Sequence, residues 1–387
     1  MSPSDPIAAV THDDPYPYYR ELLARPPLWH DASLGLWVAA SAAAVEAALR
    51  HPALRVRPPA EPVPKALQDT AAGQIFGRLV RMNDGAGHCP FKQALASTLA
   101  AIGPEAARTA GLASAQALLG KHRPAADLAG LDAFVREMPA RAVAHLLGVP
   151  DDHLDEVAAW TDDFVGCLSP LADTAAVVRG TRAAEHLQRL FHALLRTRTS
   201  AYLVALADAA QAMGRLPTDI VVANGIGLLS QTYEATAALI GNTLLALGRQ
   251  PSLSQSPQHD WHALREVVAE VVRYDAPVQN TRRFAAEAAT VAGQTLPAGA
   301  ALLVVLAAAN RDPAANASPD AFLPRRAARR AWTFGAGVHA CPGEMLAVTI
   351  AASAVEQLLH AGLDPAALSR TFAYRRSGNI RLPQFHP

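Results

Sequence analysis

Ten consecutive residues, Phe334-Gly335-Ala336-Gly337-Val338-His339-Ala340-Cys341-Pro342-Gly343, concentrate the residue types that do chemistry. Cys341 stands just before Pro342-Gly343 and an apolar stretch with helical spacing. Backbone N–H groups left free at such a helix start favour a thiolate over a thiol. Gly335 and Gly337 let the backbone turn tightly and approach a flat ligand closely. His339 adds an imidazole two residues before the sulfur. Taken by itself, a lone cysteine in a loop reads as a buried structural residue. A zinc site is weaker still, because no second Cys/His pair lies at ligand spacing. Cys89 and Cys167 are distant in sequence, and a total of three cysteines argues against a disulfide framework and for a reducing cytoplasm.

Other charged residues fall at spacings that join them. Glu270 and Arg273 are three apart, so on a helix they share a face and can form a charge-assisted pair. His88 and Lys92 are four apart, and Arg283 lies in Thr281-Arg282-Arg283-Phe284. Alone, each of these would read as a solvated surface group.

The elements that must hold these residues are mostly helical. Helices are expected over Pro15–Leu23, Ala42–Arg50 with Ser41 as N-cap, Phe91–Leu99, Glu105–Gly120, Leu131–Leu147, His262–Tyr274 and Met345–His360. Thr174–Ala212 reads as an interrupted or bent helix. Asp219–Leu247 is a very long apolar helix with few charges, which must be buried on most sides. Strands are expected at Leu28–His30 and Leu36–Ala39, around the turn Thr290–Pro297, at Ala301–Leu306 and near the C-terminus. The chain is therefore read as mainly α with small β-sheets, one domain over 1–387, with β-containing parts near 27–40, 278–306 and 371–384.

Composition bounds the function. Of 387 residues, 51% are hydrophobic, enough for a substantial core, and Lys+Arg and Asp+Glu both number 34. That balance gives no overall field to draw nucleic acid or an anionic membrane. The N-terminal residues show no basic segment followed by a long apolar run, and the purest apolar run, Ala300–Ala309, is about half of what spans a bilayer. A soluble, unanchored, cytoplasmic monomer is expected.

Phe-Gly-x-Gly-x-His-x-Cys-x-Gly resembles the cysteine signature of the cytochrome P450 superfamily, with every defining position filled, and the similarity extends over most of the chain, weakest between about 100 and 215. The resemblance implies a triangular prism of helices around a buried haem b (Fe-protoporphyrin IX). Cys341 would be the iron ligand, with Phe334, Gly335 and Gly343 shaping its loop. It implies that His88, Lys92, Arg283 and His339 neutralise the haem propionates; Lys92 stands where the family has arginine, keeping the charge and losing the bidentate fork. Glu270 and Arg273 match the family's structural Glu-x-x-Arg pair, with Arg326 as third partner and Arg325 as its rival. Ala307 to Pro313 is a further family-like structural segment.

One helix departs from the pattern. Similar enzymes carry Ala-Gly-x-(Asp/Glu)-Thr-(Thr/Ser) where this chain has Gln231-Thr232-Tyr233-Glu234-Ala235-Thr236. Aligning the acid at Glu234 puts Ala235, over the haem, in place of the threonine that helps deliver protons to bound dioxygen. Thr236 is rotated about a quarter-turn from it, Thr232 shares a face with Thr236, and Gln231 shares a face with Ala235 and can point an amide over the haem. Three explanations follow: a substrate hydroxyl, acid or amide completes the relay; a local bulge rotates Thr232 or Thr236 into place; or the reaction is not an ordinary hydroxylation. Glu234 is the candidate relay acid.

The resemblance implies a monooxygenase inserting one oxygen atom from dioxygen into a small or medium organic substrate, in bacterial secondary metabolism, with electrons from a ferredoxin-type donor. Arg325, Arg326, Arg329 and Arg330 would form a basic patch for that donor. A carrier protein is a further possible partner. The alternatives are a peroxide-dependent or non-oxygenating haem-thiolate enzyme, favoured by Ala235, and a non-catalytic haem protein binding a ligand or carrier. By position, the pocket should be closed by Pro58–Ile75, Phe164–Leu168, Val278–Thr281 with Asn280 inside it, and Asn379-Ile380.

Overall fold

Short polar side chains set where the helices begin. In the computed structural model, which describes residues 2–85, 88–214, 217–250, 253, 260–369 and 371–386, Ser41, Thr70, Asp127, Asp173, Ser200, Asp260 and Asp364 each accept a hydrogen bond from a first-turn N–H. The helices are α1 (Tyr16–Leu23), α2 (Ala42–Arg50), α3 (Ala71–Arg78), α4 (Cys89–Ala100), α5 (Gly103–His122), α6 (Leu128–Leu146) and α7 (Leu154–Cys167), then α8 (Thr174–Arg196), α9 (Ala201–Ala212), α10 (Thr218–Arg249), α11 (Trp261–Tyr274), α12 (Leu306–Asn310), α13 (Glu344–His360) and α14 (Pro365–Leu368). The expected long helix over Thr174–Ala212 is broken at Arg198, which adopts a left-handed φ of 55° before the Ser200 cap.

A five-stranded sheet runs in the order β1 (Leu28–Asp31), β2 (Leu36–Ala39), β7 (Ala301–Val304), β4 (Thr281–Ala285), β3 (Leu54–Arg55). The β2–β7 pair is parallel and its other pairs are antiparallel. β5 (Ala289–Val291) pairs with β6 (Gln294–Leu296), and β8 (Ala373–Tyr374) with β9 (Pro383–Gln384). The strand expected over Ala301–Leu306 ends at Val304; Leu306 starts α12, whose Asn310 is wholly buried and bonded to Thr333 and the Val272 carbonyl.

The main core lies among the helices, with α10 through its centre: from Thr236 to Gly248 every residue of α10 is buried. Smaller apolar clusters lie under the sheet and beneath α1. A charged staple joins the two ends of the chain. The wholly buried Arg381 donates to the carbonyls of Val10, His12 and Asp13 and to Asp275 Oδ1 at 2.8 Å, while its guanidinium lies over the Tyr374 ring. None of the described helices is long and apolar enough to cross a membrane.

Candidate active site

The cysteine loop is folded by its own backbone. The Gly335 N–H donates to the Trp332 carbonyl at 2.7 Å, the Ala340 N–H to Gly337 at 3.1 Å, and the Cys341 N–H to Phe334 at 2.8 Å. Gly335 (φ 72°) and Gly337 (φ 68°) occupy the left-handed region. A Cβ on Gly337 would also lie 3.3 Å from the Leu49 carbonyl oxygen and 3.2 Å from Arg50 Cγ, so the loop docks on α2 through this residue.

Cys341 Sγ accepts the Gly343 N–H at 3.3 Å, and Pro342 between them has no N–H to offer. The residue is accessible to solvent, yet burial raises its thiol above the ordinary range, against the opposing effects of the Gly343 N–H, Lys92 and Arg81. Access together with enclosure implies a recess around the sulfur, here the chamber. The Gly343 N–H favours the thiolate, as the helix start implies, but in the protein by itself loss of water outweighs that N–H and the two cations. Cys167 is the contrast. It is buried, donates to the Phe164 carbonyl at 3.1 Å, and burial pushes its thiol up to about 11, as for an inert packing residue.

The chamber wall beside Cys341 is basic. Lys92, on the second turn of α4, reaches the Ala340 carbonyl at 2.8 Å. Arg283, on β4, is buried, and its one bond is to the neighbouring Arg282 carbonyl at 2.9 Å. His88 is 1% exposed and lies 4.4 Å from the His339 ring, centre to centre. Burial, with His339 and Lys92 nearby, pulls His88 down to about 4. His339, expected to face an anionic ligand, uses Nε2 on Asp84 Oδ1 at 2.9 Å. Its Nδ1 and the Nε2 of His88 are buried without a partner. Two buried imidazole nitrogens without partners, beside the half-buried Lys92 and the buried Arg283, suit an anion. The side chain of Cys89 lies outside the described residues.

Behind this wall a bracket holds α11 to the loop that leads to Cys341. Glu270 Oε1 accepts from Arg273 Nη2 at 2.7 Å, from the Leu323 N–H at 3.1 Å and from Arg326 Nε at 3.3 Å. Glu270 Oε2 accepts from Arg329 at 3.1 Å. Burial alone would raise the Glu270 carboxyl, but these donors, Arg273 first, hold it below the usual range. Arg325 does not enter the bracket, and Arg329, read from sequence only as part of the basic patch, does. The expected basic patch is corrected accordingly: Arg326 and Arg329 are occupied by Glu270 and Glu266, leaving Arg325 and Arg330 exposed.

The local bulge, one of the three explanations for α10, is absent: the segment is continuous α-helix through Gln231–Thr236. Ala235 is partly accessible, whereas Thr236 is 1% exposed, so the hydroxyl is turned into the core. Thr232 is partly accessible. Gln231 bends back, donating to its own helix at the Gly227 carbonyl (2.8 Å) instead of directing that N–H into the chamber. Glu234 pairs with Arg375 Nη1 at 3.1 Å, and burial raises its carboxyl while Arg375 opposes. Arg375 also lines an open cleft of about 300 Å³ with Arg136, Asp162, Asp163 and Arg179, so this carboxylate is one residue from bulk water.

Val278 and Ile380 meet across an antiparallel bridge. Asn280, expected in the pocket, is instead a brace: buried, it donates to the Gly378 carbonyl at 2.9 Å. Phe164, expected to close the pocket, is wholly buried in the core at the end of α7. Among the described residues no cluster of three His, Cys, Asp or Glu side chains is arranged to hold a metal ion.

The comparisons agree with this geometry. The cytochrome P450 family profile matches residues 213–361. The chain is 30% identical to the beta-dihydromenaquinone-9 omega-hydroxylase of Mycobacterium tuberculosis over 367 residues, covering 90% of this chain and 70% of that protein. It is 28% identical to a putative cytochrome P450 133B2 of Xylella fastidiosa over 320 residues, covering 80% and 79%. The structure superposes on P450BioI, crystallised with a hexadec-9Z-enoic acid ligated acyl carrier protein, with a TM-score of 0.78, 21% identity and 96% of each chain covered. The chain belongs to the cytochrome P450 superfamily and is an oxidoreductase of the monooxygenase class, with haem as the implied cofactor. The residues present fit that group: an enclosed but accessible sulfur, and a basic wall with two imidazole nitrogens without partners.

Proposed function

We propose that the chain is one catalytic domain that holds haem b through Cys341 and inserts one oxygen atom from dioxygen into a small or medium organic molecule. His88, Lys92, Arg283 and His339 would hold the two propionates, and Phe334, Gly335 and Gly343 would form the loop beneath the ring. The observation that carries this is the reachable sulfur of Cys341 in the loop that Lys92 bonds, with the buried His88 and Arg283 nearby. Haem supplies dioxygen binding and activation.

The protein's own residues do the rest. The Gly343 N–H steadies charge on the sulfur, and the absence of an N–H at Pro342 leaves more of that charge to be donated. Glu234, its carboxyl raised by burial and linked through Arg375 to the solvent cleft, would hold the proton that enters the chamber. Ala235 leaves the next position in that relay to the substrate or to water. Arg325 and Arg330 remain for an acidic ferredoxin-type donor, and bacterial secondary metabolism is the setting suggested by the resemblance. P450BioI in complex with a loaded acyl carrier protein favours testing carrier-bound substrates as well.

Pyridine haemochrome analysis of the haem-supplemented protein should show haem b at one per chain. The reduced carbon monoxide adduct should show the thiolate-type Soret band, which Cys341→Ser removes. A protein that binds no haem, or a thiolate spectrum that survives the substitution, overturns the reading. The hydroxyl-free wall at Ala235 favours one second reading, peroxide-driven oxidation; turnover with peroxide but not with ferredoxin, reductase and dioxygen would select it.

A further inference from the structure

We propose that Asp84 is a positioning residue for the cofactor, holding the His339 ring so that its Nδ1 is presented to a haem propionate. The proposal rests on the reading that His339 meets a propionate, and adds the residue that aims it.

His339 ends the short 3-10 turn Gly337–His339 of the cysteine loop, and its side chain is 8% exposed. Among the described residues its imidazole has one hydrogen-bond partner. Nε2 lies 2.9 Å from Asp84 Oδ1, and Nδ1 is buried with none. Burial alone would raise the Asp84 carboxyl, but His339 and the Val56 N–H hold it below the ordinary range. An ionised carboxylate only accepts, so the hydrogen of this bond is on Nε2. Which nitrogen an imidazole offers to a ligand is set by the bond that the other makes. The bond to Asp84 therefore leaves Nδ1 as the nitrogen on offer. The His88 ring is 4.4 Å from the His339 ring, and its Nε2 is likewise buried without a partner. The His88 N–H donates to the Gly85 carbonyl at 3.0 Å, so the backbone next to Asp84 also seats the second imidazole.

Asp84 is itself fixed. Its other oxygen, Oδ2, accepts the Val56 N–H at 3.2 Å, so the carboxylate loses a partner if it turns. Val56 continues β3, where Arg55 lies opposite Phe284 of β4; the next step of that register sets Val56 against Arg283. Asn83 locks the same loop from the preceding position. Its amide donates to the carbonyls of Gly77 at 3.1 Å and Leu79 at 2.7 Å, and its oxygen accepts from Arg57 at 2.7 Å. One carboxylate thus ties the cysteine loop with His339 to the strand beside Arg283 and to the loop that leads into His88. Three of the four basic residues assigned to the propionates are registered on it, though it touches only one of them. A side chain that bonds the outer nitrogen of a ligand-holding imidazole fixes how that ring is aimed.

The test uses the haem-loaded protein and follows haem transfer to excess apomyoglobin, which needs no turnover. His339→Ala should speed transfer by about tenfold or more. Asp84→Asn keeps the shape but leaves one oxygen for two donors, and should speed transfer by a similar factor. Adding Asp84→Asn to His339→Ala should bring little further acceleration, because Asp84 acts through the ring. In resonance Raman spectra of the ferric protein, the propionate bending bands should shift in both single variants. Transfer from Asp84→Asn at the wild-type rate overturns the proposal, as do unshifted propionate bands in that variant. So does an acceleration as large in the His339→Ala background as in the wild type, which would make Asp84 a tether for Val56 alone. Transfer from His339→Ala at the wild-type rate would instead sink the propionate reading of His339 itself.

Discussion

The two walls of the chamber are built on different principles. On the cysteine side the framework is bonded many times over: the loop closes on three backbone bonds, and Glu270 gathers Arg273, Arg326, Arg329 and the Leu323 N–H, while one nitrogen each of His88 and His339 is left without a partner. On the α10 side the polar groups are turned away. Thr236 faces the core, Gln231 bonds to its own helix, Glu234 faces Arg375, and Ala235 offers a methyl group. Holding a cofactor requires redundancy, because each buried charge must be satisfied by the protein. Directing protons and substrate needs few groups, and these vary without loss of the fold. The difference teaches that retention of haem and control of its chemistry reside in separate parts of this chain.

Substitutions should separate the two walls, in descending order of effect. Cys341→Ser should reduce dioxygen-dependent turnover by about a thousandfold or more, measured with the carbon monoxide spectrum on the same sample; substantial turnover would break the comparison at its root. Glu270→Gln should cost about 3–5 kcal/mol of stability by urea denaturation, because buried guanidinium groups lose their anion. The sign with pH follows from the lowered Glu270 carboxyl. Its contribution is complete above the unfolded value of about 4.3 and is lost as pH falls through the folded value, so the gap between wild type and Glu270→Gln should narrow below about pH 4.3. A pH-independent gap would mean that shape, and not charge, is what matters there.

On the other wall, Glu234→Gln should slow dioxygen-dependent turnover by about tenfold, leaving peroxide-driven turnover and haem content unchanged. Loss of haem in this variant would show that the two walls are not separable. The smallest effect is expected from Gly337→Ala. A left-handed φ and contacts at 3.2–3.3 Å should destabilise the loop by about 1–2 kcal/mol, seen as a lowered melting temperature with little change in the Soret band.

The cysteine wall was legible in the sequence because its geometry demands particular residues. Only glycine adopts the φ of positions 335 and 337 cheaply, and Glu270 and Arg273 are neighbours on one helix turn. The α10 departure was legible too, since Ala235 is visible in the letters. Its consequence was not: the Glu234–Arg375 pair joins residues far apart in the chain, and spacing reveals only local partners. Asp84 gave no signal, being one aspartate in an irregular loop whose partners, Val56 and His339, lie 28 and 255 residues away. Among the helices, α3 and α7 were not assigned. α3 contains Gly73 and Gly77, which lower helix propensity but leave room for Leu67 and Val63, and the buried stripe of α7 includes Ala158 and Thr161, which blur its apolar period.

The staple at Arg381 bears on how the molecule is made. Its acceptors at Val10, His12 and Asp13 are translated 371, 369 and 368 residues before the guanidinium that joins them. During synthesis those carbonyls must wait for their donor, and Asp275 must wait with them. Closure of the staple therefore awaits synthesis of position 381 and is a very long loop closure, slow by topology. Nascent chains stalled a few residues short of position 381 should remain protease-sensitive at their amino-terminal segment.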